Sequence, residues 1–91
     1  VDSNQDPLDE HRKYIDRIDK TIVALLEERL RRGYALGEMK RAHHHPTRSP
    51  EREARVLDNV RLAAQGHLSP SSAERIFSLI IEETSAVQRD R

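Results

Sequence analysis

The sequence predicts an all-α fold of three helices with a long first helix, and three observations carry that prediction. Apolar residues recur at steps of three and four, the spacing of one helix face. No stretch alternates polar and apolar residues as a half-buried strand does. Pro7, Pro50 and Pro70 each open a periodic run, at the helix position where a missing N–H is harmless.

The first run places Ile15, Ile18, Ile22, Leu25, Leu26, Leu30, Leu36 and Met39 on one stripe, and nothing breaks it before His43-His44-His45-Pro46. Gly33 and Gly37 each cost about 1 kcal/mol relative to Ala but do not end a helix. Helix 1 is therefore expected over residues 8–42, after a polar, disordered segment 1–7. Ser49-Pro50-Glu51-Arg52-Glu53 reads as a helix start, with Ser49 the N-cap and two carboxylates facing the positive helix end. Val56, Leu57, Val60 and Ala64 continue helix 2, and Gly66 is expected as its left-handed cap. Ser69-Pro70 repeats the start signal, and Ile76 to Gln88 carries helix 3 to about residue 89. Residues 8–91 form a single helical domain in this reading.

Composition excludes several function classes. The chain has 91 residues, with 16 Lys and Arg against 16 Asp and Glu, so its formal net charge is zero. A phosphate-backbone binder needs a surplus of cations. Cysteine is absent, which removes disulfides, thiolate catalysis and zinc–thiolate sites. No run approaches the roughly 20 apolar residues of a membrane span. The polar stretch Val1 to Pro7 has no apolar signal core, so the cytoplasm is the expected compartment.

Helix 1 sets the assembly. About 35 residues at 1.5 Å each make a rod of about 52 Å, whereas a compact chain of this size has a radius of gyration near 12 Å. The stripe runs nearly end to end, and helices 2 and 3 are too short to cover it. A two-fold homodimer with paired long helices is the economical solution; an extended monomer with a frayed helix end is the alternative.

Charged and polar groups fall on the apolar stripes. At 100° per residue, Arg29 and Lys40 lie within about 40° of the line through Ile15 and Ile22, with Arg12 on the flank. Glu53 shares the stripe of Leu57, Val60 and Ala64, and Thr84 and Gln88 share that of Phe77 and Ile81. Taken singly, each is accounted for by internal pairing or by a stem that snorkels outward. Taken together, three cations face one carboxylate. The deficit asks for a dianion, and the mixture suits a small dicarboxylate carrying a hydroxyl.

These residues resemble a known family. Arg12-Lys13-Tyr14-Ile15-Asp16-Arg17-Ile18-Asp19, Leu25-Leu26-Glu27-Glu28-Arg29 and Gly37-Glu38-Met39-Lys40 are similar to the first helix of the all-helical chorismate mutases. Ser49 to Glu53 with Val56-Leu57, and Ile76 to Gln88, resemble their second and third helices. The resemblance covers about residues 8–89 and implies an intertwined homodimer that converts chorismate to prephenate. It further implies that Arg12 of the other chain and Arg29 grip the two carboxylates. Lys40 and Gln88 would be catalytic, donating to the ether oxygen, and Glu53 would accept from the ring hydroxyl. Thr84 stands in place of a family Ser and Ser49 in place of a family Asp, and Arg52 belongs to the same substrate-binding set. No metal or cofactor is implied. A partner enzyme of the same pathway is a possible further contact in this family.

Alternatives remain at this point. A same-fold enzyme acting on a related substrate, 4-amino-4-deoxychorismate mutase or isochorismate pyruvate-lyase, fits the Ser49 departure. A non-catalytic dimerisation or regulatory module fits the inner charges as register-setting pairs. The His43-His44-His45 run lacks the i, i+4 spacing of helical metal ligands and reads as an exposed loop.

Overall fold

The computed structural model describes residues 6–89. Within that span the chain forms α1 (Pro7–Ala42), α2 (Pro50–Ala63) and α3 (Pro70–Arg89). The expected all-α class is what is found, with boundaries within a residue or two of the sequence reading. The helix starts follow local chemistry. Asp6 and Ser49 are N-caps, their side chains accepting from the backbone N–H of Leu8 and Arg52, and Ser69 Oγ accepts from Ser72 N–H at 3.1 Å. Each cap satisfies a donor that the first helical turn cannot.

Two boundary expectations change. Asp6 and Pro7 belong to the start of α1, not to a disordered segment; the rest of that segment, residues 1–5, lies outside the described residues. Gly66 is not left-handed. Among the described residues the positive-φ residue is His44, at φ 58°, in the turn after α1. The chain leaves α2 by an extended Ala64, so no left-handed residue is needed there.

α3 is the centre of the packing and lies against both α1 and α2. Ala73, Ile81, Ser85 and Gln88 are its buried residues, and Val56 of α2 is buried against the same core. On α1 the buried residues are the two glycines, Gly33 and Gly37. A Cβ on Gly33 would stand 2.6 Å from Thr84 Cγ2, and one on Gly37 would stand 3.2 Å from Gln88 Cα. The absent side chains let α3 approach the α1 backbone, which is what the lost helix propensity obtains.

The other half of α1 is bare. Residues 10–25 are all exposed, including Ile15, Ile18, Ile22 and Leu25. The radius of gyration is 17.8 Å and the long dimension 66 Å, so the helix projects from its own chain as its length required.

Candidate active site

The site forms where the C-terminal half of α1, the 43–49 connection, the start of α2 and the end of α3 meet. They enclose a cavity of about 230 Å³. Leu36, Val56 and Ile81 supply its apolar surface, and Arg29, Lys40, Ser49, Arg52, Glu53, Thr84 and Gln88 line it. Those seven are the residues the sequence singled out, except one. Arg12 is absent from the lining; it lies on the bare half of α1, its side chain 68% exposed and 3.6 Å from Asp9.

Arg29 donates through Nη1 to Thr84 Oγ1 at 2.6 Å, and the Thr84 hydroxyl donates back one turn to Ile80 O at 2.8 Å. The hydroxyl is thereby fixed as donor and acceptor at once. The Arg29 guanidinium carbon stands 6.0 Å from the Phe77 ring centroid, within cation–π range. Burial, and then the nearby Arg52 cation, hold the Arg29 pKa below its ordinary value. An anion in the cavity would offset both effects by its own attraction for the guanidinium.

Lys40 Nζ donates to Thr47 O at 2.7 Å and to Gln88 Oε1 at 3.3 Å. Both of these partners are neutral, and the carboxylate that feels its charge is Glu53, whose pKa Lys40 helps to lower. The Gln88 carbonyl oxygen faces Lys40, and no hydrogen bond among the described residues uses its Nε2. That amide stays able to donate to a ligand. Lys40 and Gln88 thus present two donors side by side from different helices.

Glu53 is held differently. Arg48 Nε and Nη2 bond its two oxygens at 2.7 and 2.9 Å, and Arg48 Nη1 reaches Glu82 Oε2 at 3.2 Å. Those bonds from Arg48 are the main cause that holds the Glu53 carboxyl below its ordinary pKa. Glu53 is therefore a fixed, ionised acceptor. Ser49 lines the cavity but spends an oxygen lone pair on the Arg52 N–H, 3.2 Å away, as the α2 cap; its own hydrogen remains available.

The sequence reading missed Arg32, Thr47 and Arg48, which also line the cavity. Arg32 follows Arg29 by one turn, a spacing that could have flagged it. Thr47 acts through its main-chain carbonyl, and Arg48 sits in the connection between helices, where no periodicity applies. Of the five lining cations Arg29, Arg32, Lys40, Arg48 and Arg52, Arg48 alone forms an ion pair among the described residues. Within one chain the lining carries those five cations and one carboxylate, Glu53, without the Arg12 that the sequence reading counted among its three. The three histidines lie outside this site, and no group of His, Asp or Glu among the described residues is placed to hold a metal ion.

Comparison with known proteins identifies the architecture. The family model for chorismate mutase type II matches residues 11–89. The chain belongs to that family. Over 83 residues it is 34% identical to a chorismate mutase of Methanocaldococcus jannaschii, covering 90% of this chain and 84% of that protein. It is 38% identical over 79 residues to a bifunctional chorismate mutase/prephenate dehydratase of Neisseria gonorrhoeae, covering 87% of this chain but 21% of that larger protein. The chain thus spans about a fifth of that bifunctional relative. Among solved structures, a conserved hypothetical protein from Pyrococcus furiosus superposes with a TM-score of 0.77 at 30% identity, covering 98% of this chain and all of that one. Among the described residues no helix is long and apolar enough to cross a membrane.

Proposed function

We propose that the chain catalyses the rearrangement of chorismate to prephenate in the cavity between α1, α2 and α3. The observation that carries the proposal is the pairing of Lys40 Nζ with the Gln88 amide oxygen, 3.3 Å apart, inside a cavity whose other cations, Arg48 excepted, form no ion pair among the described residues. Membership in the type II chorismate mutases supports it.

The reaction is a Claisen rearrangement within one molecule. One C–O bond breaks as one C–C bond forms, and no proton, nucleophile or metal takes part. The protein has to hold the substrate compact and stabilise negative charge that develops on the ether oxygen. Arg29 meets one carboxylate with its planar fork, releasing Thr84 or sharing it. Lys40 and Gln88 donate to the ether oxygen, and Lys40 also neutralises a carboxylate. Glu53, already ionised, accepts from the ring hydroxyl, with the Ser49 hydroxyl nearby. Arg52 adds to the positive potential.

Arg12 completes the second carboxylate grip only from another copy of the chain, because its own site lies beyond reach. The bare stripe from Ile15 to Leu25 is the surface on which that copy packs. The proposal therefore includes a homodimer in which each cavity takes Arg12 from the opposite α1.

Chorismate and 4-amino-4-deoxychorismate both offer Glu53 a donor at the ring position; isochorismate tests the lyase alternative. Incubation with each, followed by chromatography, is expected to give prephenate from chorismate as the main turnover. Lys40→Ala is expected to lower that turnover by at least about 100-fold, the typical cost of one donor to a developing oxyanion. A variant within tenfold of the parent, or release of pyruvate from isochorismate as the main reaction, overturns the assignment.

A further inference from the structure

We infer that Arg41 is a positioning residue that holds Gln88 at its working angle by capping the end of α3. The inference rests on the mutase reading for its kinetic arm. Arg41 does not line the cavity. Its Nη1 donates to the main-chain oxygen of Gln88 at 2.6 Å, and its Nη2 stands 3.2 Å from Glu38 Oε2.

Gln88 is the next-to-last residue of α3, so its carbonyl is among the last four that no intrahelical N–H can reach. Helix ends fray unless such groups find partners. A guanidinium both bonds the carbonyl and offsets the negative end of the helix dipole. The last turn of α3 is then tied to the last turn of α1, at Arg41.

The tie matters because of what that turn carries. The Gln88 side chain is buried, at 5% exposure. It is pressed against Gly37 on one side and accepts from Lys40 on another. Neither contact is a bond to the main chain: Gly37 offers only a surface, and Lys40 bonds the far end of the side chain. Arg41 grips the backbone to which the side chain is attached. Glu38, one turn earlier on α1, keeps the guanidinium turned toward α3. Three residues within little more than one turn of α1, Arg41, Gly37 and Lys40, thus fix the base, the body and the tip of a single glutamine.

The test compares the full chain with Arg41→Ala, Arg41→Lys, Gln88→Ala and the double variant Arg41→Ala/Gln88→Ala. Arg41→Ala is expected to lower kcat about 10- to 100-fold, the scale of a misplaced catalytic group, with KM within about twofold because no substrate contact is lost. Arg41→Lys, which can still donate to a carbonyl, recovers part of the rate. In the Gln88→Ala background the loss of Arg41 changes nothing further. The side-chain amide resonances of Gln88, assigned by their absence from Gln88→Ala, are expected to move to the exposed-glutamine position in Arg41→Ala. An unmoved amide pair, or a rate loss of the same size with and without Gln88, overturns the inference. If the parent turns over no chorismate, the mutase reading fails while the amide spectrum still decides the positioning role.

Discussion

Adding one methyl group at Gly37 tests how closely function depends on the approach of α3 to α1. A Cβ there would meet Gln88 Cγ, Cβ and Cα at 3.0, 3.1 and 3.2 Å, where ordinary contact begins at 3.4 Å. The third atom is backbone, so rotating the glutamine does not relieve the contact. The end of α3 must retreat by a few tenths of an ångström. Gly37→Ala gains about 1 kcal/mol in helix propensity and loses about 1–3 kcal/mol to overpacking. Net destabilisation is therefore at most about 2 kcal/mol, and the fold survives. The catalytic consequence is larger. A shift of this kind in Gln88 is expected to lower kcat about 10-fold or more, bounded by the roughly 100- to 1,000-fold of a lost donor. The assay is chorismate consumption beside urea unfolding. Gly66→Ala is the control, since a Cβ there meets nothing within 4 Å. A Gly37→Ala enzyme with kcat within twofold of the parent would refute the reasoning.

Two further predictions concern stability. His44 adopts φ 58°, a conformation that costs a side-chain-bearing residue about 1–2 kcal/mol. His44→Gly removes that cost against an added unfolded-state entropy of about 0.4–1 kcal/mol. A small rise in the urea midpoint is expected, and a clear fall contradicts it. The second concerns acid. Arg48 holds the Glu53 pKa below its ordinary value, so the pair's contribution is complete above the unfolded carboxylate pKa, about 4.3. It fades as pH drops through the lower folded value, where the native carboxylate also takes up its proton. The stability gap between the parent and Glu53→Gln is thus expected to narrow from pH 7 toward pH 3; a gap constant with pH removes the ionic account.

The helices were legible because the sequence punctuates them. Ser-Pro pairs and the three- and four-residue spacing mark starts and faces without reference to tertiary structure. Arg29, Lys40, Glu53, Thr84 and Gln88 were legible for a related reason: polar groups on apolar stripes stand out against the pattern. Arg48 and Arg41 did not stand out, since one lies in a connection and the other bonds a main-chain oxygen 47 positions away in sequence. The worth of Gly33 and Gly37 was hidden too, because their propensity cost is local while the close approach exists only once α3 is docked. Gly66, expected to be left-handed after α2, is not, and the left-handed residue found is His44 after α1, where a histidine carries only a weak signal for that conformation. Arg12 stood out on the flank of the α1 stripe and took its role from the family resemblance, and a single chain gives it no place in the cavity.

The proposed catalysis depends most on Gln88 donating a hydrogen bond to an oxygen that becomes negative. Gln88→Glu keeps the shape and makes the donor depend on a proton. The decisive measurement is the pH–rate profile of that variant for conversion of chorismate to prephenate, taken beside the parent's. Activity confined to acid solution, with loss as the new carboxyl ionises, is the predicted result. Full parental rate above pH 8 contradicts it.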